Sequence, residues 1–157
     1  MVYKKKTWKE KLNNDKDLPR VVPIEGRLSK KWGTGTCVIP SPKEVNQIMK
    51  KIPRGKLVTI NQIREALAKK HEATIGCPIT TGIFARIAAG SAEEDSKEGK
   101  KNITPYWRTL KQGGVINEKY PGGVKAQKEL LEKEGHKVKL KGKKYVVEDF
   151  KNHLAKL

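Results

Sequence analysis

The stretch VTINQIREALAKKHEATIGCPITTGIFARIAAG, residues 58–90, decides the fold. Thr59 is followed three residues later by Gln62, a pattern in which the two side chains exchange hydrogen bonds with backbone N–H groups at a helix start. Ile60, Ile63, Ala66 and Leu67 then recur at helical spacing, which predicts a helix to about Lys70. After the polar connection HEATIGC, Pro78 predicts a second start, because proline suits the first helical position. Ile79, Ile83, Ile87 and Ala88 are expected as the buried face of that helix, and Gly90 as its end. Two such helices joined by a short polar connection predict a helix-turn-helix.

Upstream, Ser41-Pro42-Lys43-Glu44 is another capping pattern. Val45, Ile48 and Met49 predict a helix over 42–51, with Lys43, Lys50 and Lys51 outward. IPRGK breaks it, and Leu57-Val58 reads as a very short strand. Residues 1–40 have scattered proline and glycine and no sustained period, so they read as an irregular basic arm with a docked turn around Trp32. Downstream, SAEEDSKEGKKN reads as a solvated loop and ITPYWRTL, residues 103–110, as a strand. Val124, Gln127, Leu130 and Leu131 predict a helix to Glu134, with Gly135 as its stop. HKVKLKGKKYVV reads as a hairpin around Lys141-Gly142, and 148–157 as a final short helix. The expected class is mainly α with small β.

Charge narrows the partner. The 157 residues carry 35 Lys and Arg against 17 Asp and Glu, a net +18. Basic side chains outnumber acidic ones 10 to 4 in residues 1–31, 8 to 2 in 42–70, 5 to 1 in 100–121 and 7 to 2 in 135–157; residues 71–99 reverse this, 2 to 5. Such a spread suits a polyanion, DNA or RNA, better than it suits a merely soluble basic protein. At 36% hydrophobic and 33% charged, the chain fits one domain with a modest core, expected as a monomer. No apolar run approaches the roughly 20 residues of a membrane span. The opening MVYKKKTWKEKLNN lacks the apolar core of a secretory signal. Cys37 and Cys77 are far apart, with no CxxC and no histidine at ligand spacing. That predicts a reduced intracellular compartment, cytoplasmic or nuclear, and neither a metal site nor a cofactor.

Four segments together resemble a known family. IPRGKLVTINQI (52–63), TTGIFARIAA (80–89), TPYWR (104–108) and YPGGVKAQKELLEKEG (120–135) are similar, in this order, to the C-terminal, DNA-binding domain of the alkylguanine-DNA alkyltransferases. The resemblance implies a winged helix-turn-helix domain over 41–138, with the arm over 1–40 before it and a C-terminal hairpin extension with a short helix over 139–157. It also implies minor-groove binding to double-stranded DNA and flipping of a damaged guanine, whose alkyl group passes to a cysteine in a Pro-Cys-His-Arg motif.

Here the matching residues are Pro105, Tyr106, Trp107 and Arg108, so the motif is degenerate. Alkyl transfer needs a soft thiolate activated by a base. A phenol titrating near about 10 is a poor acceptor at neutral pH, and the indole N–H of Trp107 donates without accepting. The resemblance also makes Glu134 the residue that would polarise the missing histidine, left as a structural remnant. Tyr106, Trp107 and Tyr120 are expected to fill or line the old pocket. Cys77 is either a replacement nucleophile near a helix start or a half-buried loop cysteine. The position of the family's base-replacing arginine is Ile79, an apolar wedge or a core residue, and the position of its phosphate-crowding tyrosine is Ile60.

The DNA-contact candidates are Arg54, Lys56, Thr80, Thr81, Gly82, Arg86, Arg108 and Lys111. Thr80 and Thr81 read equally as ordinary helix-start residues, and Arg86 and the lysines as solvated charges. The lost cysteine is shared with the alkyltransferase-like proteins, which bind alkylated DNA without repairing it. The reading is therefore non-catalytic binding to double-stranded DNA that is alkylated or distorted, with repair proteins as further partners. The alternatives are a winged-helix DNA- or RNA-binding factor without damage preference, and an active alkyltransferase using another nucleophile.

Overall fold

The capping signals in the sequence are realised as reciprocal hydrogen bonds in the computed structural model, which describes residues 7–15 and 17–157. Ser41 Oγ accepts the Glu44 N–H and Glu44 Oε1 accepts the Ser41 N–H, both at 3.2 Å, opening α3 (Pro42–Lys50). Thr59 and Gln62 do the same at 3.3 and 3.0 Å for α4 (Ile60–Lys70). A short strand, β4 (Ile75–Gly76), then leads into α5 (Pro78–Lys97). These three helices enclose Val45 and Met49 of α3, Ile63 and Leu67 of α4, and Ala85, Ala88, Ala89 and Ala92 of α5. Alanine on α5 lets α3 and α4 approach closely, so the core is small but tight.

A second cluster joins Leu57, Leu110, Ile116, Leu131 and Val147. It ties β3 (Val58–Thr59) and its parallel partner β5 (Thr109–Leu110) to α6 (Gly123–Lys133) and to the hairpin of β6 (Val138–Lys141) and β7 (Lys144–Val147). Gly135, at φ +91°, ends α6 in a conformation that side-chain-bearing residues rarely adopt.

Four expectations are corrected. The arm is not irregular. It forms α1 (Trp8–Leu12), β1 (Arg20–Pro23), α2 (Arg27–Trp32) and β2 (Thr36–Ile39). β2 pairs antiparallel with β1 and parallel with β4, through Cys37 with Ile75 and Val38 with Gly76. The parts of the expected arm at residues 1–6 and 16 lie outside the described residues. Short strands without their own amphipathic period take their order from β4, a partner that local sequence does not reveal.

The second correction concerns α5, which runs past Gly90 to Lys97. Its acidic end is not a solvated loop, because α1 neutralises it. The Lys9 N–H donates to Glu94 Oε1 at 2.8 Å and Lys9 Nζ pairs with Asp95 at 2.6 Å. The buried face of α5 is also not the expected one. Ile79 is 59% and Ile83 51% exposed, while the alanine stripe and Ile87 face inward. Both stripes have helical spacing, and the smaller one fits against α3.

Third, ITPYWRTL is mostly not strand. Pro105 lacks a ladder donor, Tyr106–Arg108 form a 3₁₀ turn, and pairing begins at Thr109. Fourth, the final helix is reduced to a 3₁₀ turn, Phe150–His153. The chain then bonds to Leu57, whose N–H donates to the His153 carbonyl at 2.9 Å and whose carbonyl accepts from Ala155 at 2.7 Å.

The docking of α1 depends on a missing side chain. A Cβ on Gly90 would sit inside the Trp8 indole. Gly90→Leu is expected to lift α1 from α5 and cost about 1–3 kcal/mol, as overpacking does. Urea unfolding and tryptophan emission measure this: stability should fall and the Trp8 emission should shift to the red.

Candidate nucleic-acid interface

The degenerate motif lies in the interior. Tyr106 is 4% and Tyr120 2% exposed. Tyr106 packs edge-on against Trp107 at 5.4 Å and against Tyr120 at 5.8 Å between ring centroids. Trp107 contributes to both core clusters. Burial, with the charge of Glu93, pushes the Tyr106 hydroxyl up to about 12, and burial raises that of Tyr120 as well. Pro105 is buried with them.

Glu134 gathers the rest of the motif. Its carboxylate accepts the Trp107 indole N–H at 2.7 Å, the Gly55 N–H at 3.1 Å, and Arg108 Nε and Nη2 at 2.8 to 3.0 Å. Arg108 Nη1 donates to the Ile52 carbonyl at 2.6 Å. Burial opposes ionisation of Glu134, but hydrogen bonds from Arg108, Trp107 and Gly55 outweigh it and hold the carboxyl below its usual range. The missing histidine does not leave Glu134 idle, because the indole of Trp107 makes a bond that needs only a donor.

Several contact candidates are buried or lie on another face. Arg108 is spent on Glu134 and Ile52, with its side chain 13% exposed. Thr81 is fully buried, and the Thr80 hydroxyl is buried although the residue itself is half-exposed. Arg54 and Lys56 are exposed, but on the turn against the end of α6, where Arg54 donates to the Lys133 carbonyl at 3.2 Å. Cys77 is 6% exposed and caps α5, with its sulfur accepting from the Thr80 N–H at 3.5 Å. Cys37 lies in the same buried cluster, and burial together with Cys77 beside it pushes its thiol up to about 11.

The remaining candidates converge. A groove of about 450 Å³ runs between the first turns of α5, the start of α4 and the 111–119 loop. Ile79, Gly82, Ile83 and Arg86 form its α5 side, with Ile60 and Lys111 across from them. Ile79 is thus surface, not core. Arg64 and Lys119 also line the groove and were missed in the sequence. The clue for Arg64 was its place one turn after Ile60, on the same helix face. Arg64 Nε donates to the Gly76 carbonyl at 2.9 Å, which fixes it at the groove wall. None of Tyr106, Trp107 and Tyr120 lines this groove. An apolar floor between guanidinium and ammonium groups can hold sugar edges or part a base step while the cations meet phosphate.

No protein-family model and no curated protein matches the chain. Among solved structures, the fold is shared with S. pombe Atl1, in a crystal structure of that protein in complex with damaged DNA containing O6-carboxymethylguanine. The two are 19% identical, the match covers 74% of this chain and 94% of the other, and the TM-score is 0.50. The likeness establishes the fold, mainly α with small sheets.

The Glu134 carboxylate should act as a stability switch in acid. Its depressed value means that the stabilisation is present above the unfolded carboxyl near about 4.3 and is lost as pH falls through the folded value. Glu134→Gln, which leaves Arg108 uncompensated, should cost about 3–5 kcal/mol at neutral pH. In urea titrations the gap between wild type and variant should narrow below about pH 4.

Proposed function

We propose that this protein binds double-stranded DNA through the α5 groove, without chemistry, in recognition of alkylated or distorted sites. The observation that carries this reading is the exposed Ile79–Ile83 ridge framed by Arg64, Arg86, Lys111 and Lys119. A soluble helix gains nothing by leaving two isoleucines in water beside four cations, whereas a duplex offers each a partner. The damaged DNA held by the structurally similar Atl1 supports distortion as the target.

The non-catalytic part rests on Tyr106 and Cys77. A buried phenol with its proton held to about 12 is no acceptor of alkyl groups at neutral pH, and a capping sulfur that is 6% exposed is out of reach of a base. The packed rings also favour binding without housing a flipped guanine at the motif. Ile79 can part a step that a lesion has already weakened, since unstacking costs least there.

Four measurements test this. The salt dependence of duplex binding should have a slope of about −2.7 if Arg64, Arg86 and Lys119 each neutralise one phosphate while Lys111 stays paired with Glu118; a flat dependence would remove the nucleic-acid reading. In competition, a duplex with an alkylated guanine should displace an unmodified one, and equal affinity would favour a factor without damage preference. A labelled methyl group on the DNA should stay there, and 2-aminopurine at the target should brighten little on binding.

A further inference from the structure

Lys111 borders more than the α5 groove. A second trough, of about 580 Å³, lies between the β6–β7 hairpin, the 111–118 loop and the start of α6. It shares Lys111, Gln112 and Glu118 with the α5 groove, so the two lie side by side on the same loop. We infer that this trough is a second phosphate-binding surface, on which the backbone of the same duplex continues beyond the base pairs met by α5. The inference rests on the duplex binding proposed above.

Charge is the first argument. Residues 137–144 hold Lys137, Lys139, Lys141, Lys143 and Lys144. Lys139 has a distant partner, Glu148 at 3.9 Å, while among the described residues Lys141, Lys143 and Lys144 make no ion pair. Lys141 and Lys144 stand directly opposite each other across the hairpin. Like charges in that position are destabilising, and a polyanion laid against them reverses the sign of the interaction. Glu118, the acid on the shared wall, is already paired with Lys111 at 3.0 Å.

Anchoring is the second argument. The Ile116 N–H donates to the Tyr145 carbonyl at 2.9 Å, Val115 bridges Val146, and Val147 is 1% exposed in the core. The lysines therefore ride on a fixed ribbon and lose little freedom on binding, unlike those of a loose tail. The trough's apolar lining of Val115, Val124 and Tyr145 is shallow and borders the basic rim. That arrangement suits sugar and phosphate along an edge.

Lys143→Ala with Lys144→Ala in the full chain tests this. The residues are exposed and the change relieves a like-charge pair, so thermal stability should hold or rise. On a duplex long enough to span both grooves, the wild-type slope should steepen to about −4.5, and the variant should lose about 1.8 of it. Affinity at physiological salt should fall on the order of 10-fold. Wild-type binding with an unchanged slope and affinity in the variant would overturn the inference while leaving the α5 reading intact. Failure of the wild type to bind any duplex would remove both. A loss confined to single-stranded DNA would also overturn it and make the trough a single-strand site, with Tyr145 as its stacking platform.

Discussion

The Glu134 carboxylate is the point at which three distant segments are held together. It takes hydrogen bonds from the turn after α3 through Gly55 and from the motif through Trp107 and Arg108, and it sits itself at the end of α6. Arg108 carries the linkage on to the Ile52 carbonyl. A buried carboxylate tolerates this position because its oxygens are satisfied by a guanidinium, an indole and a backbone amide. Remove the carboxylate and the guanidinium is left buried without its counter-charge, at the seam between the two core clusters.

That linkage explains how the motif can lose its chemistry and keep its shape. Trp107 supplies the donor that Glu134 requires, so the 3₁₀ turn stays closed and Tyr106 is directed inward against Tyr120. Gln127 adds to this, with its amide donating to the Trp107 carbonyl at 3.1 Å while its oxygen accepts the Asn117 N–H at 3.0 Å. The motif thus acts as core. What faces outward is the first part of α5 and the loop from Lys111 to Lys119, and there the recognisable chemistry is apolar contact and phosphate charge.

Sequence revealed best what local rules control. Ser41 with Glu44, Thr59 with Gln62, Pro78 and Gly135 each marked a helix end, because capping is settled within four residues. It failed where the partner was distant. The strands of the arm needed β4, and the acidic end of α5 needed Lys9. The same limit governed the site. Gly82, Arg86 and Lys111 were legible from motif positions, but Arg64 and Lys119 join them only through the way α4 and the 111–119 loop cross α5. Arg108 looked like a contact residue, and no feature of TPYWR announces that its charge is consumed by Glu134, 26 residues later.

The misassigned face of α5 has a cause that bears on function. The helix carries two stripes at helical spacing, isoleucine and alanine, and the burial of one exposes the other. Because α3 packs against the alanines, Ile79 and Ile83 face out beside Arg86. Arg86 in turn lies 5.5 Å from the Trp8 ring of α1, and Trp8 is seated by Gly90. The arm's first helix therefore does two things at once. It pairs Lys9 with Asp95 and Glu98, acids that would repel a polyanion, and it gives Arg86 an aromatic face to rest on at the groove's edge. A segment that reads as a basic tail is thus part of what makes the first half of α5 electropositive.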